Sequence, residues 1–205
     1  MIAKNSSKLI LPPFIISVFL LYYLPLVGFI GILTTSYMIW FFRDPHRIIP
    51  TVENVLLSPA DGKIIFIEEK LNVIKIAIRM SPFNVHINRS PINGMITSIT
   101  KTPGKHVSVY FKDVEKMNER NLLVIENDDL SIELLQLTGA FARRIECWVN
   151  INQRINQGDK IGIIRFGSQV NLIIHLKNAE KKLNTMINLG ESVKAGEDIL
   201  ITMEG

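Results

Sequence analysis

The fold class follows from residues 63–79, which read KIIFIEEKLNVIKIAIR. The two halves of this stretch, Lys63–Glu68 and Val73–Arg79, are short runs rich in isoleucine and valine, as is typical of β-strands. Similar runs follow, most of them bounded by Gly, Pro, Asn or Asp: His106–Phe111, Leu122–Glu126, Ser131–Leu137, Ile161–Arg165 and Asn171–Leu176. The sequence therefore predicts a mainly β domain of sandwich or barrel type. A helix is predicted only at Val114–Arg120, and Ala140–Val149 fits either a helix or a strand.

The N-terminal part of the chain has no Asp, Glu, Lys or Arg from Leu9 to Phe42. A membrane-spanning helix needs about 20 apolar residues, so this run is too long for one span and short for two. Pro25 supplies a break for a bent helix or a helical hairpin. Lysines precede the run and arginines follow it, which favours keeping both ends on the cytoplasmic side. We expect residues 1–48 to be an α-helical membrane anchor, one bent helix or two short ones, and residues 49–205 to be a domain at the cytoplasmic face of the cell membrane.

The charged and sulfur-containing residues restrict the other partners. The formal net charge of +4 belongs to a mildly basic chain, which suits a surface of anionic lipids. Lys and Arg are dispersed among Asp and Glu without a basic stripe, so we expect no nucleic-acid partner. Cys147 is the single cysteine and cannot form an intramolecular disulfide, and no metal-ligand cluster is evident, so we expect no metal.

Two segments near the C-terminus echo one another. Ile155–Ile161 and Val193–Ile199 each place a glycine in a turn that leads into an apolar strand. This pattern resembles the hairpins of lipoyl and biotinyl carrier domains. Those carriers modify a lysine beside methionines at a hairpin tip, and no such tip occurs here, so the resemblance implies a related fold without the carrier role.

Three further segments are more specific than plain β structure requires. Leu57–Lys63 holds a Pro-Ala-Asp-Gly sequence that, taken alone, is an ordinary β-turn. Met80–Gly94 contains His86 between two aliphatic residues, and a lone histidine of this kind is more often structural. In Ile163–Val170 a predicted strand runs straight into Gly-Ser, which is by itself a turn or a bulge.

Taken together, the three segments resemble one family. A Pro-Ala-Asp-Gly turn, a Val-His followed by Arg-x-Pro, and a late Phe-Gly-Ser-x-Val occur in the order found in the short-chain phosphatidylserine decarboxylase proenzymes of bacteria and archaea. The junction Phe41–Pro45 is also similar to the residues that follow the apolar N-terminus of that family. The resemblance extends from about Phe41 to the last strands. It implies a carboxy-lyase of phospholipid biosynthesis that converts phosphatidylserine to phosphatidylethanolamine and CO2.

The resemblance also implies that the chain cuts itself between Gly167 and Ser168. In such proenzymes Asp61 would orient and charge-balance His86, and His86 would take the proton of the serine hydroxyl. The hydroxyl of Ser168 would then attack the carbonyl of Gly167, where the missing Cβ permits a close approach. Elimination from the resulting ester would leave a covalent pyruvoyl group derived from Ser168. The large chain ending at Gly167 and the small chain beginning at position 168 would stay together as a heterodimer.

The same resemblance implies how the lipid would be decarboxylated. The pyruvoyl carbonyl would form a Schiff base with the serine headgroup and serve as the electron sink when CO2 leaves. His86 is the first candidate to return a proton to the α-carbon, because an imidazole titrates near neutral pH. Longer family members carry another histidine where this chain has Phe83, so His106 and His175 are further candidate donors. Phe83 and Arg89 are expected to contact the substrate. Arg43, Arg47 and Arg89 are the arginines that could meet the lipid phosphate or the serine carboxylate.

Other functions remain open at this point. The motifs do not distinguish phosphatidylserine from an ether-linked serine lipid such as archaetidylserine. A membrane-tethered β-sandwich that only binds or carries a ligand would leave Asp61, His86 and Ser168 as turn and strand residues, and its chain would stay whole. A serine hydrolase that acts on other molecules is disfavoured because the G-x-S-x-G elbow is absent.

Overall fold

The computed structural model describes residues 2–108, 113–140, 144–165 and 168–204. The chain divides into two compact units, Met1–His46 and Arg47–Gly205. In the described part of the chain, the first unit holds the two long helices and the second holds the strands.

The first unit is a helical hairpin. Helix α1 (Ser7–Tyr23) and helix α2 (Pro25–Phe41) have 17 residues each and are separated by Leu24 alone. Leu24 has φ −136° and ψ 78°, outside the helical region, because the ring of a following proline disfavours helical backbone at the residue before it. Pro25 itself opens α2, where its missing N–H would have had no partner within the helix.

Small residues let the two helices approach closely. A Cβ added at Gly28 would lie 2.3 Å from the backbone nitrogen of Leu21, and one added at Gly31 would lie 2.3 Å from the hydroxyl oxygen of Ser17. That hydroxyl donates a hydrogen bond to the carbonyl oxygen of Pro13 at 2.6 Å, so its own hydrogen-bonding capacity is used where the two helices touch. The close approach therefore depends on the two glycines.

Large apolar side chains cover the outside of the hairpin. Phe19, Tyr22, Leu26 and Phe29 are each more than half exposed. Within the described residues, neither α1 nor α2 nor any other helix meets the combined length and hydropathy needed to cross a membrane.

The second unit is mainly β with a large antiparallel sheet, which confirms the mainly β character predicted from the sequence. Its strands are β1 (Val55–Leu57), β2 (Gly62–Lys70), β3 (Val73–Met80), β4 (Ile87–Arg89), β5 (Gly94–Thr102), β6 (Arg120–Glu126), β7 (Leu130–Thr138), β8 (Ile145–Cys147), β9 (Arg154–Ile155), β10 (Lys160–Ile164), β11 (Ser168–Leu176), β12 (Lys182–Thr185), β13 (Ser192–Val193) and β14 (Ile199–Glu204). A one-turn helix, α3 (Val114–Met117), precedes β6.

Two of the predicted elements are wrong in extent or type. The strand predicted at His106–Phe111 is not formed by its described residues, 106–108. The side chain of Asn118 holds this segment instead, since it accepts from the Val107 nitrogen at 2.9 Å and donates to the Val107 oxygen at 2.7 Å. The predicted helix stops at Met117, because Arg120 already pairs with β7 as the first residue of β6. In the undecided region Ala140–Val149, the strand is β8, and residues 141–143 lie outside the described residues.

Among the described residues, all pairs of strands are antiparallel and fall into three sheets. The large sheet has eight strands in the order β13-β2-β3-β11-β7-β6-β5-β9, with β13 and β9 as its edges. The two small sheets have the orders β1-β14-β12 and β4-β10-β8. One apolar core joins them, since it contains Ile78 and Leu172 of the large sheet, Leu200 of the first small sheet and Ile161 of the second.

Strand β11 lies in the middle of the large sheet. All but its last residue are paired with β3, and the whole strand is paired with β7. Val170, Leu172 and Ile174 alternate along it and are fully buried, which is the period of two expected when one face of a strand points into a core. Ser168 has the same parity and therefore belongs to this core face.

The two echoed segments form turns that lie against each other. Gly158 and Gly196 both have positive φ, +81° and +73°, a conformation that glycine adopts without strain. A Cβ added at Gly196 would lie 3.7 Å from the Cα of Gly158 and 2.9 Å from the Cδ of Arg89. The repeated glycines therefore allow the backbone conformation of each turn and also the contact between the two turns.

The close helix contact gives a first prediction. Gly28→Leu should push α1 and α2 apart, because the added side chain would occupy the space of the Leu21 backbone. Spin labels at Leu9 and Ile39 should report a longer distance by electron paramagnetic resonance. Ile30→Leu is the matched control, since Ile30 is 55% exposed on the same helix and its change should leave the distance as it is. An unchanged distance in Gly28→Leu would contradict the proposed role of this glycine.

Candidate active site

Ser168 is the first residue of β11 and is completely buried. Its hydroxyl donates to the sulfur of Met80 at 3.0 Å, and its Cα is paired with Met80 on one side and Thr138 on the other. Both neighbours are also buried. Gly167, the other residue of the predicted cleavage site, lies outside the described residues.

His86 is buried at the end of the loop that joins β3 to β4, with 1% of its surface exposed. The loop is closed by Asn84, whose side-chain oxygen accepts from both the nitrogen and the hydroxyl of Ser81 at 2.8 Å. The backbone oxygen of Asn84 lies 2.9 Å from Nδ1 of His86. A carbonyl can only accept, so Nδ1 carries the proton, and in the neutral ring Nε2 carries the lone pair. The histidine is therefore in the tautomer that can take a proton at Nε2.

Two connections link His86 to Ser168. Met80, the pairing partner of Ser168, precedes His86 by six residues along the loop. On the other side, the nitrogen of Ile164 donates to the backbone oxygen of His86 at 3.2 Å, and Ile164 precedes Ser168 by four residues. Ser168 and His86, the two residues predicted to exchange a proton, are thus connected through Met80 and through Ile164.

Asp61 follows a tight turn that packs against β4. Ser58 closes this turn by donating from its hydroxyl to the oxygen of Ala60 at 2.8 Å. The backbone nitrogen of Arg89, in β4, donates to the oxygen of Pro59 at 2.9 Å. The turn is thereby fixed beside the strand that begins directly after His86.

The carboxylate of Asp61 is held by an arginine and a backbone amide. Nη2 of Arg47 lies 2.8 Å from both carboxylate oxygens, and the nitrogen of Ala195 donates to Oδ1 at 2.8 Å. Arg47 also contacts Glu197 at 3.3 Å. The bond predicted between Asp61 and His86 is not among the contacts of the described residues, where Nδ1 of His86 faces the Asn84 carbonyl instead. The role of Asp61 in orienting His86 therefore stays a prediction.

Sequence reasoning considered Arg47 only as a possible contact of the lipid and did not foresee its contacts with Asp61 and Glu197. Its side chain is only 7% exposed, and it joins the segment before β1 to the loop between β13 and β14. The sequence contains a signal for it in the charged junction Arg43–Arg47, which follows the uncharged N-terminal run. Nothing local to that junction identifies a partner 150 positions away.

The remaining predicted residues lie in different surroundings. Phe83 is 71% exposed on the loop that ends in His86, and Arg89 is buried with Nη1 donating to the oxygen of Gly158 at 2.8 Å. Their contacts with substrate stay predictions. Nδ1 of His106 lies 3.3 Å from the hydroxyl of Thr138, the cross-strand neighbour of Ser168. His175 is seven residues along β11 from Ser168, roughly 23 Å at the rise of a strand, too far to give a proton directly.

The buried cluster around Arg47 leads to a prediction for stability. Arg47→Met should lower the free energy of unfolding by about 3 kcal/mol, because it leaves the Asp61 carboxylate buried beside Glu197 without a counter-ion. Adding Asp61→Asn should restore part of the loss. Thermal unfolding followed by circular dichroism would measure both. The control is Lys194→Met, which removes a 3.9 Å ion pair from a lysine side chain that is 66% exposed. Equal effects of Arg47→Met and Lys194→Met would contradict the prediction.

Comparisons with known proteins show the family of this chain. The family model described as phosphatidylserine decarboxylase matches residues 34–201. A phosphatidylserine decarboxylase proenzyme of Desulfotalea psychrophila is 39% identical over 183 residues, 85% of this chain and 83% of the relative. Proenzymes of the same name are 37% identical in Syntrophus aciditrophicus, over 86% of this chain and 84% of the relative, and 38% identical in Ehrlichia chaffeensis, over 87% and 80%. The expectation drawn from the three motifs is thereby confirmed, and the chain belongs to the phosphatidylserine decarboxylase family of carboxy-lyases.

Proposed function

We propose that this chain is a self-processing enzyme that decarboxylates phosphatidylserine to phosphatidylethanolamine. The observations that carry the proposal are that Ser168 and His86 are both buried, that Ser168 is paired with Met80 at the start of the loop leading to His86, and that Nδ1 of His86 faces the Asn84 carbonyl, which leaves Nε2 of the neutral ring able to accept a proton. The printed name of the relatives supports it, since a proenzyme is a precursor that must be processed.

The first proposed reaction cuts the chain. His86 takes the proton of the Ser168 hydroxyl, whose oxygen attacks the carbonyl carbon of Gly167. The peptide C–N bond breaks, the nitrogen of residue 168 gains a proton, and an ester joins the two pieces. Removal of the α-proton of residue 168 then breaks its Cβ–O bond and releases Gly167 as a carboxylate. Water converts the remaining dehydroalanine to a pyruvoyl group and ammonia.

The surroundings of Ser168 fit such a group. The side chain at this position lies on the core face, next to Met80 and Thr138, and is shielded from solvent. Once formed, the pyruvoyl carbonyl supplies an electrophile that takes up the electrons released as CO2 leaves. The burial of residue 168 would exclude water from the reacting atoms, and His86 would hold the proton that returns to the α-carbon.

After cleavage the two chains would stay associated through the sheets. The small chain would contribute the central strand β11, as well as β13 beside β2 and β14 beside β1. Asp61 of the large chain would also accept from the Ala195 amide of the small chain. The finer architecture that we propose is a β-sandwich with lipoyl-like hairpins, supported by the contact between the Gly158 and Gly196 turns.

The helical hairpin is proposed to anchor the enzyme in the cell membrane, with the β unit at the cytoplasmic face. The support is its uncharged run from Leu9 to Phe42 and the exposed aromatic and aliphatic side chains on both helices. A diacyl lipid stays in the bilayer, so an enzyme held at the interface would meet its substrate by lateral diffusion. Phe83, exposed beside His86, is the proposed contact with the lipid.

Intact masses test the processing. The wild-type chain should give two pieces divided after Gly167, the smaller one lighter than its serine form by one ammonia, whereas Ser168→Ala should remain whole because it lacks the attacking oxygen. Thr138→Ser is a suitable control, since it alters a neighbouring hydroxyl and should still allow cleavage. A folded wild-type chain that stays whole in lipid would exclude the proposed function and favour a binding module.

The proposed base can be tested separately. His86→Gln should slow cleavage by at least about 100-fold, because general-base catalysis is worth that much or more. The time course of cleavage in a pulse-labelled chain would measure it, with His175→Gln as the control at the far end of β11. Cleavage of His86→Gln at the wild-type rate would exclude His86 as the base. Assays of the cleaved enzyme with diacyl and ether-linked serine lipids would then identify the accepted tails.

A further inference from the structure

Three amide side chains form a polar chain inside the apolar core. Asn121, Gln136 and Asn88 are each at most 1% exposed. The Asn121 amide donates to Oε1 of Gln136 at 2.8 Å, and the Gln136 amide donates to Oδ1 of Asn88 at 2.7 Å. The Asn88 amide in turn lies 3.4 Å from the oxygen of Pro59. These hydrogen bonds run from β6 through β7 to β4 and end on the turn that carries Asp61.

The orientation of the three amide groups is fixed by the carbonyl of Pro59, where their chain of hydrogen bonds ends. The Pro59 carbonyl can only accept, so the nitrogen of Asn88 faces it and the oxygen of Asn88 faces Gln136. At the other end, the nitrogen of Asn121 faces Gln136, so its Oδ1 is turned away from the other two amides. Among the described residues this buried oxygen has no hydrogen-bond partner. An unsatisfied buried acceptor costs about 1–3 kcal/mol, and apolar side chains of the same shape would avoid that cost. The presence of the three amides despite this energetic cost indicates that they have a role other than filling the core.

The position of the Gln136–Asn88 bond suggests the use. Gln136 is two residues before Thr138, the cross-strand neighbour of Ser168. Asn88 is two residues after His86. Two residues of extended chain cover roughly 6.6 Å. The Gln136–Asn88 bond therefore lies about that far along the backbone from Thr138, the neighbour of Ser168, and from His86. It is a direct side-chain link between the strand beside Ser168 and the strand that begins after His86.

We infer that the Gln136–Asn88 bond is a positioning bridge that fixes the distance from His86 to Ser168 for self-cleavage. A proton transfer requires heavy atoms within hydrogen-bond reach, and an error of about 1 Å can cost on the order of 100-fold in rate. Apolar packing between β4 and the large sheet would allow small sliding movements. A short hydrogen bond between two buried amides restricts them, and the continuation to Pro59 extends the restraint to the Asp61 turn. The inference rests on the proposed self-cleavage.

The test compares two variants on the same strand. Gln136→Leu removes the bridge with little change in volume. Leu134→Ala, two residues earlier on the same buried face, creates a cavity and removes none of the hydrogen-bonding groups of the three amides, so it serves as a control for lost stability. Each full-length chain is pulse-labelled in the presence of lipid, its cleavage is followed by intact mass, and its melting temperature is recorded. Gln136→Leu should cleave roughly 10- to 100-fold more slowly than wild type, whereas Leu134→Ala should cleave much faster than Gln136→Leu at an equal or lower melting temperature.

A spectroscopic readout separates positioning from folding. In the Ser168→Ala background the chain should stay whole, and the ring nitrogens of its four histidines can be followed by ¹⁵N resonance, with His86 assigned by His86→Gln. The His86 signals should shift with Gln136→Leu and not with Leu134→Ala. Asn88→Ser, which shortens the other partner of the bridge, should reproduce both effects if Gln136→Leu does not fold.

The outcomes are distinct. Equal cleavage rates in Gln136→Leu and Leu134→Ala, or unchanged His86 signals in Gln136→Leu, would overturn the bridge while leaving the proposed function in place. A wild-type chain that does not cleave would overturn the proposed function, and with it the purpose assigned to the bridge. In that case the His86 signals would still decide whether Gln136 controls the position of the ring.

Discussion

The antiparallel pairing of β11 on both sides is the constraint on which the rest of the structure depends. A strand in the middle of a sheet has its backbone groups bonded to both neighbours and cannot slip by one residue without exchanging its buried and exposed faces. The alternation of Val170, Leu172 and Ile174 fixes which face is buried. Because Ser168 begins this strand, its side chain is directed to the core face by the same register.

The site is built from polar groups that the apolar core would otherwise exclude. The three amides and the ion pair between Arg47 and Asp61 lie in or beside a core of isoleucine, leucine and valine. Buried polar groups are tolerated when their partners are supplied, and here the partners come from distant parts of the sequence. The Pro-Ala-Asp-Gly turn is where both systems meet, since Pro59 ends the amide chain and Asp61 receives the arginine.

Much of the fold could be predicted from local sequence, and its failures have physical causes. β2, β3 and β7 were found because isoleucine and leucine dominate them, whereas β5, with the sequence GMITSITKT, mixes polar residues into both faces and was missed. The motifs also indicated Ser168 and His86 as a pair, which the fold connects through Met80 and through Ile164. The ion pairs of Arg47 could not be predicted in this way, because its contact with Glu197 spans 150 positions and depends on the completed fold. The same is true of Gln136, which in sequence is one of the four polar residues of β7.

The central place of β11 also bears on the lifetime of the mature protein. If the chain is cut as proposed, β11 would refold before the cut as part of one continuous chain, so folding would be unimolecular and independent of concentration. Once residue 168 begins a separate chain, an unfolded molecule would have to recapture its middle strand from solution, in competition with aggregation of the exposed edges of β3 and β7. Unfolding of the cut enzyme would then be effectively irreversible. The persistence of the cut enzyme would be set by its rate of unfolding, whereas that of the precursor would be set by its equilibrium free energy of unfolding.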